Sequence, residues 1–369
     1  MNILPFTAFV DLDELKLGLI SLAIDPSIGG LLIFGPKGTG KSSIVRAFAD
    51  LLPEIEVVSD CIYHCDPNDV SLMCDNCRER VNKGEKLPRS KVKMKVVTLP
   101  IGATEDMVLG SINVERTLKE GRVIFEPGIL ARANRNILYV DEVNLLPDHV
   151  VDTILDAASS GWNIVEREGV SVRHPSRFIL IGTMNPEEGD LRPQLLDRFA
   201  IGIKVDTIKD PRLRSEIVRR NLSYESNRER FLEEWLPRQR ELREKIINAR
   251  KQIKSVKISD ENISIVTSVC SILEVDGYRP DIVAIKVARA LAAFNGRKII
   301  SEDDILMGLK FALVHRTRAG GLKPPVSEKE IIEVLREIKG KRQVISLAKS
   351  ISGKERKKRG LFFRFWQRY

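Results

Sequence analysis

The chain has 369 residues, 43% of them hydrophobic and 30% charged, which fits a folded protein of two or three domains and excludes a low-complexity or disordered class. It has no apolar run of ~18 residues that would span a bilayer, and Met1 to Val10 lacks a basic stretch ahead of its short apolar run, so no secretory leader is expected. The formal net charge of +9 is localised: residues 340–369 hold ten Lys/Arg against the single acid Glu355, so residues 1–339 sum to zero. The body therefore has no net charge to draw it to nucleic acid. Five cysteines, four of them clustered, suit a reducing compartment, and a cytoplasmic location is expected.

In chain order, Leu31 to Phe34 is an apolar run that predicts a buried strand, and residues 43–49 predict a helix. Between them Gly35, Pro36, Lys37, Gly38, Thr39, Gly40, Lys41 and Ser42 complete a G-x-x-x-x-G-K-[ST] phosphate loop. The chemistry needs that layout. The three glycines let backbone N–H groups close around phosphate oxygens, and the following helix adds its positive dipole end. Lys41 is expected to reach the β- and γ-phosphates of ATP, and Ser42 to ligate Mg²⁺.

Cys61, Cys65, Cys74 and Cys77 follow in a C-x3-C-x8-C-x2-C pattern, inside an insert spanning about residues 58–92. Four thiolates in so short a span can close a tetrahedral structural Zn²⁺ site. An iron–sulfur cluster is the rarer occupant, His64 is an alternative ligand to Cys65, and unligated thiols in a loop are the plain alternative. Cys270, in an apolar helical stretch, reads as a core residue.

Further strands are predicted at 96–99, 137–140, 178–183 and 201–205. Their alternation with helical stretches predicts an α/β fold, a parallel sheet with helices on both faces. The strand at 137–140 runs into Asp141 and Glu142. After a phosphate loop, such a pair holds Mg²⁺ through water (Asp141) and polarises the attacking water as general base (Glu142). Asn185 lies just past the strand at 178–183, either as a turn residue or as a group orienting the water. Arg198 and Arg279 read either as surface arginines or as cations that stabilise transition-state charge on a γ-phosphate.

Beyond residue 210 the pattern turns helical. The expected division is an α/β ATPase core over 1–210, a connecting helical segment over 211–256, a small all-helical lid over 257–320, and a C-terminal helix with a basic aromatic tail over 321–369. Ser259 and Ser301 are expected helix N-caps. In the tail, Phe362, Phe365, Trp366 and Tyr369 share one face if helical, beside Arg364 and Arg368. This suits a partner protein or an anionic membrane surface, with a solvated end as the alternative.

The stretches Asp25–Gly30, Leu99–Asp106, Phe125–Leu130, Tyr139–Leu146, Gly161–Gly169 and Asn185–Phe199 closely resemble the ATPase subunit I of magnesium chelatase, an AAA+ family of the branch with an insert in its second helix. The resemblance runs from about Leu4 to Arg318. It implies an AAA+ P-loop NTPase core with a helical lid. It carries Gly35–Ser42, Asp141 and Glu142 as the two Walker motifs, Asn185 as sensor one, Arg198 as the arginine finger and Arg279 as the sensor-two arginine. It also implies a homo-oligomeric ring, usually a hexamer, that couples ATP hydrolysis to remodelling of partner subunits. Those partners are an integrin-domain AAA-like subunit and a large tetrapyrrole-binding subunit that inserts Mg²⁺. The loop over 102–126 and the hairpin over 163–172 resemble the family's inserts, which face the pore and partners. Met184-Asn185 replaces the family's usual Gly-Asn or Ser-Asn pair, and the segment after Gly320 has no counterpart. Two further functions share this core: a MoxR-type chaperone acting on an integrin-domain partner, and a nucleic-acid motor, which the neutral body disfavours.

Overall fold

The computed structural model describes residues 3–121, 124–167, 170–189, 191–320, 322–338 and 340. The basic aromatic tail lies outside the described residues.

Five short apolar runs form one parallel sheet: β1 (Leu31–Phe34), β2 (Val96–Leu99), β3 (Ile137–Val140), β4 (Ile179–Met184) and β5 (Ile201–Lys204). Their order is β5-β1-β4-β3-β2, with Leu31 paired to both Ile181 and Ile201, and Ile137 paired to both Ile179 and Val96. All five coincide with the strands expected from sequence to within a residue. The period of two sends Leu31, Ile33, Tyr139, Ile181 and Ile203 into one buried cluster, and Leu32, Leu138, Val140 and Leu180 into another on the opposite face. Both faces are therefore dry, which is why the strands read as continuous apolar runs.

The principal helices are α1 (Asp13–Ile24), α2 (Lys41–Leu51), α3 (Asp148–Ser160), α4 (Pro211–Ser226), α5 (Arg228–Gln252), α6 (Asp260–Ile272), α7 (Arg279–Phe294) and α8 (Glu302–Leu313). Ser259 and Ser301 begin α6 and α8 with complete capping boxes, closed by Asn262 and Asp304. A further helix covers 328–338. Among the described residues, three antiparallel strand pairs stand outside the main sheet: Ile55–Val58 with Arg89–Val92, Gly110–Ile112 with Phe125–Pro127, and Trp162–Arg167 with Val170–Pro175. The first pair frames the cysteine insert. None of the described helices is long and apolar enough to cross a membrane.

The lid helices α7 and α8 share one apolar cluster with α1, α2, α5 and one face of the sheet. The joint with β5 is tight. A Cβ on Gly202 would lie 2.3 Å from Nδ1 of His315, so only glycine lets that ring sit on the strand. His315 Nε2 is 3.0 Å from the carbonyl of Phe199, and Arg316 donates to the carbonyls of Phe199 (2.7 Å) and Asp197 (2.8 Å). Both side chains are buried, so these bonds carry the backbone on either side of Arg198.

Burial, and then the adjacent Arg316 charge, push the His315 pKa down to about 3 from its ordinary 6.5, while the Phe199 carbonyl opposes this. Between those values the unfolded chain binds a proton that the folded chain refuses. Stability is therefore complete above pH ~6.5 and falls as the pH drops toward 3. We predict that the urea midpoint falls on acidification from pH 7 to pH 5 with a His315 contribution of up to about 1.4 kcal/mol per pH unit. In His315→Gln that part of the slope should vanish; equal slopes in parent and variant would assign the acid sensitivity elsewhere.

Candidate nucleotide-binding and hydrolysis site

Gly35–Ser42 links the end of β1 to the first turn of α2. Its path is forced at both ends. A Cβ on Gly35 would lie 1.9 Å from the carbonyl oxygen of Val205, so no other residue fits beside β5. Gly40, at φ 82°, turns the chain into α2 from the left-handed region. Gly35 N–H donates to the Met184 carbonyl (3.1 Å), which ties the loop to the end of β4. The Lys41 ammonium donates to the carbonyls of Gly35 and Pro36, at 2.6 Å each, and so sits inside the loop it would serve. Burial lowers its pKa, and the charges of Asp141 and Glu142 oppose that shift.

The acid pair follows β3, one strand beyond β4. Asp141 Oδ1 accepts from Tyr139 (2.8 Å) and from Thr183 Oγ1 (2.6 Å). The Tyr139 hydroxyl also lies against Ser42, so the magnesium candidates Ser42 and Asp141 flank one phenol. Burial is the main cause that pushes this phenol up to about 12. Glu142 has φ 50°, a left-handed conformation unusual for a non-glycine residue, and its N–H donates to Thr183 Oγ1 (3.1 Å). Its carboxylate, with Glu188, pairs with Lys37 Nζ at 3.1 and 2.6 Å, and these pairs, Glu188 first, raise the Lys37 pKa. Lys37 thus spans from the loop to the candidate base. Asn185 is buried beside β4, and its side chain caps the turn at Glu187 N–H.

The loop borders a cleft of about 690 Å³ whose walls include Leu4, Phe9, Ile208, Ile217 and Tyr224 beside Lys37 to Gly40. Apolar and aromatic walls next to a phosphate cradle suit a nucleoside, with the triphosphate running past Lys41 toward the acids.

The two arginines do not join this group. Arg198 lies just before β5, where Nη1 contacts Asp156 (2.8 Å) and Asp152 (3.0 Å) of α3. Arg279 opens α7 and donates to the Asp197 carbonyl (3.3 Å). Together they line a cavity of about 1090 Å³ with Gly30, Asn136, Phe178 and Lys286, at the strand starts. The phosphate loop and acids sit at the strand ends. Strands of four to six residues separate the two edges by ~13–20 Å. The lid packs beside β5 and turns Arg279, at the start of α7, to the strand-start edge with Arg198.

The four cysteine Sγ atoms lie within 4.8 Å of one another, and all four residues are buried and unbridged. Cys61 Sγ is 3.6 Å from Cys65 Sγ and 3.8 Å from Cys74 Sγ; ligands 2.3 Å from one tetrahedral ion stand ~3.8 Å apart. Contacts from Cys65 and Cys74 hold the Cys61 pKa far down, whereas the Cys77 pKa is driven up, chiefly by burial. His64 does not join the four. Its backbone carries the turn at φ 50°, which leaves the ligand position to Cys65.

Three participants were not singled out from sequence. Tyr139 and Thr183 read as ordinary strand residues, although Tyr139 stands two positions before Asp141 and so faces the same way. Glu188 gave no signal apart from its neighbourhood to Asn185.

The comparisons with known proteins bear on the family and the fold. Residues 86–199 match the AAA domain family (dynein-related subfamily), and 264–338 match the AAA lid domain. The chain is thus an AAA+ ATPase with its helical lid. It is 52% identical over 331 residues to the magnesium-chelatase subunit ChlI homolog of Methanocaldococcus jannaschii, covering 90% of each chain. It is 49% identical over 336 residues to magnesium-chelatase subunit ChlI of Cyanophora paradoxa, covering 91% of this chain and 97% of that one. A solved structure of the complex between subunits BchI and BchD of magnesium chelatase contains a chain 41% identical to this one, with TM-score 0.51, over 91% of this chain and all of that one. A structure from Cytophaga hutchinsonii, 17% identical with TM-score 0.57, shares the fold. The chain belongs to the family of the magnesium-chelatase ATPase subunit I.

Gly35 is the position where the loop tolerates least. Gly35→Ala should cost at least about 3 kcal/mol in urea unfolding, because the added methyl meets backbone rather than a mobile side chain. A variant as stable as the parent would show that the loop and β5 are not in this contact.

Proposed function

We propose that this chain is the Mg²⁺-dependent ATP-hydrolysing motor of a metal-chelatase-like complex, working as a homo-oligomeric ring, a hexamer. It would drive remodelling of partner subunits that insert Mg²⁺ or a similar ion into a tetrapyrrole. The observation that carries the proposal is the division of charge across the sheet. The cradle and the acids stand at one edge and the arginines at the other, so a complete site needs two copies. What supports a partner is kinship with chelatase subunits and the solved complex of BchI with BchD; the family resemblance implies that the partners are an integrin-domain AAA-like subunit and a large tetrapyrrole-binding subunit. The tail is assigned to a partner or an anionic membrane surface.

In this reading the loop N–H groups and Lys41 neutralise the triphosphate. Ser42 and Asp141 would hold Mg²⁺, which supplies charge neutralisation at the phosphates. Glu142 accepts the proton of the attacking water once Lys37 releases it, and Asn185 orients that water. Arg198 and Arg279 leave Asp152, Asp156 and the Asp197 carbonyl to meet the neighbour's γ-phosphate. The cofactor set is ATP with Mg²⁺, and zinc on the four thiols.

Mixing tests the split site. Glu142→Gln and Arg198→Ala should each lower kcat at least about 100-fold, with Glu142→Gln still binding MgATP. In a 1:1 mixture about a quarter of the interfaces join an intact acid pair to an intact arginine, so turnover should return well above either parent variant. If the mixture stays as slow as its components, Arg198 does not act across subunits.

A further inference from the structure

The cysteine insert touches the rest of the chain through residues that neighbour its thiols. Tyr63, between Cys61 and Cys65, stacks on His174 of the 162–175 hairpin, with ring centroids 4.8 Å apart and planes 11° from parallel. Asp75, next to Cys74, pairs with Arg173 at 3.1 Å. Arg78, next to Cys77, lies over Trp162 at 5.9 Å, and Arg173 covers the same indole at 5.6 Å. Each docking residue is thus adjacent to, or two positions from, a cysteine.

The hairpin in turn organises the other insert. His174 is also 5.9 Å from Phe125, and Asn163 donates to the Leu109 carbonyl (2.8 Å) while bonding His174 Nε2 (2.9 Å). On its other side the insert is held by the turn that enters β3. Asn134 donates to the Tyr63 carbonyl (2.6 Å), Arg135 pairs with Asp66 (2.9 Å), and Arg135 also donates to the Glu56 carbonyl.

The insert has almost no core to hold these residues. Its buried hydrophobic cluster is Val58, Met73 and the four cysteines themselves. So small a cluster does not order a loop of this length against its chain entropy. A cross-link at the thiols does, and a bound ion supplies it as folding free energy.

We infer that a zinc ion on Cys61, Cys65, Cys74 and Cys77 is the peg that fixes the 162–175 hairpin, and through His174 the 110–127 insert, to the ATPase core. The inference rests on the zinc assignment proposed above. The metal plays no part in hydrolysis: all four of its coordination positions are filled by sulfur, and it shares no residue with the phosphate loop. Its work is to make the hairpin move with the core instead of independently of it.

The test separates the two claims. Zinc is released from the intact protein with a thiol-blocking mercurial and counted with a metal-binding dye; one per chain is expected, and none would remove both the assignment and the inference. Amide exchange is then followed in the parent, in Cys77→Ser, and in the double variant Tyr63→Ala, Asp75→Asn, which keeps all four thiols. Hairpin amides in 162–167 and 170–174 should exchange about tenfold faster in both variants, while those of α2 stay unchanged. The double variant should still hold one zinc. Zinc bound at one per chain, with hairpin exchange in the double variant equal to the parent, would keep the metal and overturn its role as peg. That variant decides the matter even if Cys77→Ser does not fold.

Discussion

The active edge depends on where three parallel strands stop. Phe34 of β1 pairs with Met184 of β4, and Val140 of β3 pairs with Gly182. β1 and β4 therefore stop at one level, into the phosphate loop and into Asn185, while β3 stops two residues earlier, opposite Gly182, and runs into Asp141–Glu142 beside Thr183 and Met184. The order β5-β1-β4-β3-β2 places β4 between the other two, so Thr183 can bond Asp141 and the Glu142 N–H while the Met184 carbonyl holds Gly35. A slip of one residue in any of these registers would turn alternate side chains to the other face and separate Ser42 from Asp141.

The same parallel direction sets both arginines apart from the phosphate loop. Arg198 precedes β5 and Arg279 opens a lid helix packed beside it, so both belong to the strand-start edge. His315 and Arg316 brace the backbone around Arg198 from within the lid. A shift of the lid thus reaches the arginine directly, through two buried side chains rather than through the sheet. The acids Asp152 and Asp156 hold Arg198, a contact that a neighbour's phosphates would have to outcompete in the proposed ring.

Much of this was legible in the residues. The strands are short apolar runs because both faces are covered, and the phosphate loop is legible because backbone geometry restricts its letters. Asp141 and Glu142 gain meaning only from that loop's presence. The position of the lid was not legible: the fit of His315 onto Gly202 joins residues more than a hundred apart, and neither letter announces the other. Tyr139 and Thr183 were hidden for a different reason, since an aromatic or β-branched residue in a strand normally serves packing alone. The cysteine spacing indicated a metal-sized group, but only the fold showed that Tyr63, Asp75 and Arg78 turn that group toward the 162–175 hairpin.

The central claim is that the strand ends form one site for a triphosphate with its magnesium. Calorimetric titration of the purified chain with ATP, with and without Mg²⁺, addresses it most directly. The account predicts saturable binding in the micromolar range, of the order of −8 kcal/mol, that weakens without the metal and disappears in Lys41→Ala. Equal heats in all three titrations, or none in the folded parent, would contradict it.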